Sequence, residues 1–500
     1  MRILYLDLDA LNPKHLSCYG YCRPTSPTID ALAARGVRCT NVYASDAPCL
    51  PSRTAFYSGR HGIHTGVVGH SGTAADPKPQ GRSRGFKDWF TEQGLATRLT
   101  RAGYHTAMIS PFGDRHSAHH FYAGFREIHN TGKSGGEVAF EVQPVVERWL
   151  DQNAADDHWY LHINYWDIHT PYRTPLDYGD PMEGQPLPAF FTDEVVERHM
   201  KRYGPHSAMD LGMYGDDNPE RFPRTVDRID SMAKLRKWID AYDTAIHYVD
   251  TQVKAILDRL ESAGVLDDTL IVVSADHGEN QGVLGIYGEH ATADEGTCNI
   301  PMIVAGPGVK AGVVDEGLHY NLDFAPTLMD MLGQESCPVW DGQSYAATLT
   351  EGTDTGRDDL VVSQCCHVCQ RSVRFGDWIY IRTYHDGLHP FPQEMLFNLE
   401  DDPYEQDNVA ETNPELCREG AWRLSRWHDA QMQKMVLNAT DVVDPLWTVM
   451  REGGPEHAGT RGSLQGHWGG LQPYLDRLEA TGRADGAAAL RERHPEYLEV

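Results

Sequence analysis

No apolar run in this sequence approaches the roughly 20 residues that a bilayer-spanning helix takes, so no transmembrane segment is expected. Positive charge is also short: 44 Lys and Arg stand against 72 Asp and Glu, a net charge of −28. Such a surface repels phosphate backbones and anionic lipid, which argues against nucleic acid and membranes as partners. An anionic small substrate stays open if a local cationic site overrides the global field. Cysteine is sparse, ten in 500 residues, scattered and with Cys365 and Cys366 adjacent. That is not a disulfide framework. The opening Met1-Arg2-Ile3-Leu4-Tyr5-Leu6-Asp7 lacks the h-region and small-residue cleavage site of a secretory signal. Taken together, these absences predict a cytoplasmic protein.

What is present is core material. Apolar residues make up 40% of a chain too long for one ordinary core, so two packed units are expected. Residues 3–8, 37–43, 104–109, 159–165, 269–274 and 300–305 read as strands, several of them continuously apolar. Helical segments alternate with them: 27–34, 95–102, and most clearly 233–263. In the last, Tyr242, Ala245, Ile246, Val249, Val253, Ile256, Leu257 and Leu260 share one face, and Gly264 follows. The alternation predicts an α/β fold with a largely parallel central sheet between helices, over residues 1–355. Beyond it, 372–375, 378–381 and 395–397 read as short antiparallel strands, and 414–432 as a helix, giving a smaller subdomain over 356–437. The tail, 438–500, is expected to pack on its own subunit or to mediate homo-oligomerisation; its Trp447, Trp468 and Tyr474 have no other role in the sequence. Segment 175–224, rich in Pro, Gly, Met and Tyr, reads as an irregular insertion.

In parallel sheets, sites lie at the carboxyl ends of strands. Asp7 and Asp9 point to one side there, by the period of two, and Asp276 and His277 close the strand 270–274. Any one of these acids is more often a solvated loop residue or a cap, but as a set at one sheet edge they favour a divalent cation between them. Cys49, in Pro48-Cys49-Leu50-Pro51-Ser52-Arg53-Thr54, is expected at a helix N-terminus, a position that lowers a thiol's pKa. The run Cys365-Cys366-His367-Val368-Cys369 invites a zinc reading, but no second ligand pair sits at zinc spacing, and structural packing is preferred.

Cys49-Leu50-Pro51-Ser52-Arg53 matches Cys-x-Pro-Ser-Arg, the signature of the type I sulfatases of the alkaline phosphatase superfamily. Four such identities arise by chance in roughly one chain of this length in several hundred. The resemblance extends through Asp9-Ala10-Leu11, Ser58-Gly59-Arg60, Asp167-Ile168-His169-Thr170-Pro171-Tyr172, Ser274-Ala275-Asp276-His277-Gly278-Glu279 and Phe397-Asn398-Leu399-Glu400-Asp401-Asp402-Pro403. It implies an alkaline phosphatase-like fold and a hydrolase of sulfate monoesters. It further implies that Cys49 is oxidised to formylglycine, whose hydrate is the nucleophile, by a formylglycine-generating enzyme. By position, Asp9, Asp276, His277 and the modified Cys49 would bind one divalent metal, Mn²⁺ or Ca²⁺. Arg53 would hold the nucleophile, while His169 and His290 would face the leaving group.

Two departures from the family stand out. Its first metal strand ends in two adjacent acids, but the second position here is Ala10; Asp7 is the candidate to compensate. Its sulfate-gripping lysine and accompanying histidine are missing after Gly103-Tyr104, where Ser110-Pro111-Phe112-Gly113-Asp114-Arg115-His116 stands instead. Arg115 and His116 are the substitutes by residue type. Phosphonate monoester hydrolases of the superfamily share both the Asp-His pair and the missing lysine, so a phosphonate monoester or phosphodiester hydrolase is the alternative.

Overall fold

The computed structural model describes residues 1–78, 80, 89–212, 219–438, 441–456 and 469–498. Its strands are Arg2–Leu8 (β1), Val37–Tyr43 (β2), Asp46–Ala47 (β3), His105–Ile109 (β4), Glu127–His129 (β5), Trp159–Tyr165 (β6), Thr269–Ser274 (β7) and Asn280–Gln281 (β8). Tyr287–Glu289 (β9), Asn299–Ala305 (β10), Val313–Tyr320 (β11), Asp359–Gln364 (β12), Cys369–Phe375 (β13), Trp378–His385 (β14) and Glu394–Asn398 (β15) follow.

Eight of them form the central sheet, in the order β11-β2-β10-β7-β1-β6-β4-β5. β1 runs parallel to both its neighbours, β6 and β7. β4 is parallel to β6 and β5, and β2 to β11. Only β10 is reversed, against β2 and β7. All residues of β1, β6, β7 and β10 are buried, as expected for strands covered on both faces, and this is why their sequences read as apolar runs rather than alternations.

The helix Met232–Ser262 starts where the Ser231 hydroxyl accepts from the Lys234 amide, and Gly264 follows its end at φ 72°. Its predicted face is buried, except that Leu257 is half-buried, and it packs against the helices Ala139–Asn153 and Pro27–Arg35. Among the described residues, no helix is long and apolar enough to cross a membrane.

The second sheet has the order β15-β14-β13-β12-β3. Its antiparallel strands are longer than the sequence pattern showed, because their polar ends are held by pairing rather than by apolar content. The helix Pro414–Leu437 packs on β13 and β14. Gly420 makes that approach possible, since a Cβ there would come within 2.5 Å of the Tyr380 ring. Register joins the two sheets: Asp46 and Ala47, just ahead of Cys49, pair with Ser363 and Gln364 of β12.

The segment 175–224 is not wholly irregular, for it contains the helix Asp193–Met200, capped by the Thr192 hydroxyl on the Val195 amide. In the tail, Leu446 and Val449 pack with Val68, Cys365 and Cys369. Leu471, Tyr474, Leu475, Leu478, Leu490 and Tyr497 close over Leu388. The Tyr474 hydroxyl donates to Asp210 and accepts from the Gly204 amide, so this aromatic belongs to the subunit's own core. Trp447 stacks edge-on against Tyr384 while 55% exposed, and Trp468 lies outside the described residues.

Candidate active site

The parallel strands bring their carboxyl ends to one edge. Asp9 and Ala10 follow β1, Asp167 and His169 follow β6, and Asp276 and His277 follow β7. β2 shares their direction, both it and β7 being antiparallel to β10, so the chain leaving it delivers Cys49 to the same edge. Cys49 is the first residue of the helix Cys49–Ser58, every residue of which is buried.

Oxygen, nitrogen and sulfur atoms of Asp9, Cys49, Asp276 and His277 all lie within 4.8 Å of one another. The Cys49 Sγ is 3.0 Å from His277 Nε2, and His277 Nδ1 is 2.7 Å from the Gly278 carbonyl. Arg53, one turn along the helix from Cys49, donates from Nη1 to Asp276 at 2.6 Å, from Nη2 to Asp9 at 2.9 Å and from Nε to Asp7 at 3.0 Å. The Ser52 hydroxyl donates to the Asp276 carbonyl and accepts from Asn321, which ties the helix to the end of β7.

The charge balance is informative. Three buried carboxylates face one guanidinium, and Oδ1 of both Asp7 and Asp9 is buried without a hydrogen-bond partner among the described residues. Buried charges without partners are costly, so the surplus fits a divalent cation, and the oxygen, imidazole and residue-49 donors fit it too. Burial, eased by Arg53, pushes the Asp276 carboxyl up to about 6, as expected where compensation is incomplete.

Asp7 stands aside from that group. It accepts from Arg53 and lies 3.2 Å from His162 Nε2, so it anchors the guanidinium from below. The expected lowering of the Cys49 thiol is not found: burial raises it well above its ordinary value, and Asp9 and Asp276 add to this. Desolvation outweighs the helix N-terminus in a site with no exposed face.

His169, His277 and His290 form a cluster. The rings of His277 and His290 stack at 4.1 Å, and His169 meets His290 edge-on at 5.0 Å. Burial holds both His169 and His290 well below the ordinary imidazole value, with neighbouring cations and histidines adding to it. His169 Nε2 has no hydrogen-bond partner among the described residues.

Arg115 lies over the Trp166 ring at 5.0 Å, and its charge reaches both Cys49 and His169. His116 is one step further out: its ring meets that of His70 at 4.4 Å with a 36° tilt, and it is His70 whose charge reaches His290. His70, His162 and Asn321 were not singled out from the sequence, and Ser52 was noted only as part of the motif around Cys49. His70 lies on a loop, His162 inside β6 and Asn321 at the start of a short 3-10 turn after β11, where no local pattern separates them from packing residues. His367 and Glu289 were also missed as neighbours of His290, although the run 365–369 had marked the former as a metal-ligating type.

The sulfatase family model matches residues 2–334 of the chain. The choline-sulfatase of Rhizobium meliloti is 27% identical over 463 residues, covering 83% of each chain. Among solved structures, a 2-O GAG sulfatase superposes with a TM-score of 0.66 at 19% identity, over 92% of this chain and 97% of the other. The phosphonate monoester hydrolase of Agrobacterium radiobacter gives 0.62 at 18% identity, over 88% and 97%. At such identities the structural likenesses speak for the fold alone. With the family match spanning two-thirds of the sequence, the chain belongs to the sulfatase family, enzymes of the alkaline phosphatase superfamily.

Proposed function

We propose that the protein hydrolyses sulfate monoesters to an alcohol and inorganic sulfate, with residue 49 acting as formylglycine beside one divalent ion. The observation that carries this reading is the convergence of Asp9, Cys49, Asp276 and His277 around one point, with Arg53 braced by carboxylates next to it. Asp9, Asp276 and His277 would hold the ion, which when bound supplies charge to the sulfuryl oxygens and acidity to the nucleophile. The nitrogen ligand favours Mn²⁺ over Ca²⁺. As formylglycine, residue 49 would supply a geminal-diol oxygen that displaces the alcohol from sulfur, after which its second hydroxyl would expel sulfate and restore the aldehyde.

The remaining work falls to this chain's own side chains. Arg53 keeps the residue-49 end of its helix in register with the carboxylates of β1 and β7. Arg115, stacked on Trp166 and without an ion pair among the described residues, would grip a sulfate oxygen in place of the missing lysine. His290 and His169 would hold and deliver the proton that the departing alcohol needs. Because Cys49 is fully buried, a formylglycine-generating enzyme would have to reach it before the domain closes.

Intact mass of the peptide carrying Cys49, from protein expressed with a formylglycine-generating enzyme, tests the central step. The aldehyde is expected in place of the thiol, and an unmodified thiol in active enzyme would contradict the assignment. The Asp276-His277 pair and the absence of the usual lysine favour, as a second reading, a phosphonate monoester or phosphodiester hydrolase with the same nucleophile. Turnover of an aryl sulfate well above that of a phenylphosphonate ester is expected, and the reverse ratio would select the second reading.

A further inference from the structure

A second group of ligand-type side chains stands on the far side of His290 from the carboxylates of β1. Glu289 ends β9, His290 follows it, and His367 comes from the loop between β12 and β13. Ligand atoms of the three lie within 4.8 Å of one another, and all three residues are buried. Glu289 Oε1 is 3.2 Å from His290 Nδ1 and 3.5 Å from His367 Nε2. The other oxygen, Oε2, is 3.2 Å from His206 Nε2.

These separations have a meaning beyond proximity. Two ligands bound at about 2.1 Å on a tetrahedral ion stand about 3.4 Å apart, so both Oε1 separations are close to the edge of such a polyhedron. A hydrogen bond does not account for the first of them. His290 Nδ1 is buried and has no hydrogen-bond partner among the described residues, although the carboxylate oxygen is 3.2 Å away, because its direction is wrong for one. Glu289 Oε1 accepts from the His290 backbone amide at 2.9 Å, and with the ring proton on Nε2 the Nδ1 lone pair faces that same oxygen, an arrangement that a cation between the two would stabilise.

We propose that Glu289, His290 and His367 form a second divalent-cation site, with a mixed imidazole and carboxylate donor set suited to zinc or another transition metal. Gln364 fixes the backbone, donating from Nε2 to the His290 carbonyl at 2.8 Å. A cation on Nδ1 of His290 leaves the ring proton on Nε2, so the second ion would fix the tautomer of the ring stacked on His277. The site is built from residues outside the Asp9, Asp276 and His277 set, and does not depend on which ester the enzyme cleaves.

Crystals of the full-length wild-type protein soaked in zinc, with data collected at the zinc edge, test it directly. An anomalous peak between Glu289, His290 and His367 is expected, and its absence at millimolar zinc overturns the proposal. In solution, metal content after dialysis against Co²⁺ should be one equivalent lower in His367→Ala than in wild type, and equal uptake by the two would count against the site. Asp276→Asn, measured in parallel, reports the ion beside Cys49 on its own, so that failure of one site is not read as failure of the other.

Discussion

Gln364 donates its side-chain amide to the backbone carbonyl of His290 at 2.8 Å, while its own backbone pairs in register with Ala47, two residues ahead of Cys49. Its Oε1 also accepts from the Cys366 amide. One residue of the C-terminal sheet therefore positions both the strand leading to the nucleophile and the histidine proposed to face the leaving group. The smaller sheet is part of the active-site frame rather than an appendage.

Gln364→Ala should expose that dependence. It leaves a buried carbonyl and a buried amide unpaired, which costs about 1–3 kcal/mol. Turnover of an aryl sulfate should fall by more than tenfold, with the Michaelis constant less affected. Gln364→Glu keeps one oxygen for Cys366 but has no donor for His290, so it should fall in kcat as well. Unchanged kcat in both variants, measured at saturating substrate, would separate the second sheet from catalysis.

Arg53 offers a sharper contrast. It is the only guanidinium among the described residues to pair with Asp7, Asp9 and Asp276. Arg53→Ala leaves buried carboxylates facing one another, and removing one partner of a buried pair costs about 3–5 kcal/mol. Arg53→Lys should not restore the wild type, because an ammonium cannot fork to three carboxylates. Urea unfolding of chelator-treated protein is expected to show both losses. Added divalent ion should recover more stability in the variants than in wild type, since it relieves the same repulsion.

Much of this was legible in the sequence. Strands β6 and β7 were bounded to the residue by their continuous apolar runs, and the long helix by its period and by Gly264. Asp9, Asp276, His277 and Cys49 were drawn together by the resemblance, and the structure places them within 4.8 Å. Asp7, the candidate to compensate for Ala10, shares the side of Asp9 but sits one pleat deeper, where Arg53 and His162 reach it, a depth that the period of two does not encode. The Cys49 thiol was misjudged because burial leaves no mark in a local sequence. Pairings such as Glu289 with His367 depend on the docking of two sheets, and no spacing along the chain encodes them.

Buried histidines away from the carboxylate cluster set the response to acid. Burial pulls His61 and His389 down to about 3, and His120, His199 and His385 to about 4. In the unfolded chain each returns to about 6.5. Between these values the unfolded state binds more protons, so stability rises with pH across the window and is lost as pH falls from 6.5 towards 4. The acids that burial raises, Asp46 and Asp276 to about 6, Asp167 to about 7, and Asp240, Asp250, Asp294 and Glu405 in the same direction, work the opposite way. But His162, His169, His206, His247 and His290 are lowered as well and keep the histidines more numerous. Urea midpoints should therefore decline from pH 6.5 to pH 4.5; a flat or rising profile would contradict the neutral, buried state of these rings.

The tail makes a prediction about folding rather than assembly. Its Leu446 and Val449 cover Val68, Cys365 and Cys369, and its last helices cover Leu388. Arg483 and Arg477 both pair with the buried Asp210. A chain ending at Asn438 loses these partners, so its melting temperature should drop by several degrees and it should aggregate on size exclusion. A truncated chain that kept the wild-type melting temperature and merely changed from oligomer to monomer would assign the tail to an interface instead.

Arg115 is where substrate preference should be readable. It is half-buried against Trp166, its charge reaches Cys49, and no carboxylate among the described residues neutralises it. A hydrogen bond from a cation to an anionic oxygen contributes about 1.5–3 kcal/mol, so Arg115→Met should lower kcat/KM for a sulfate ester roughly 10- to 100-fold. Arg115→Lys, a point charge on a shorter reach, should recover part of that loss. Trp166→Leu should mimic Arg115→Met in direction but not in size, because it removes the ring that orients the guanidinium and leaves the charge. If Arg115→Met instead retained full kcat/KM while His116→Ala lost it, the sulfate grip would belong to the histidine beside His70, and the arginine would serve only to pack the wall of the site.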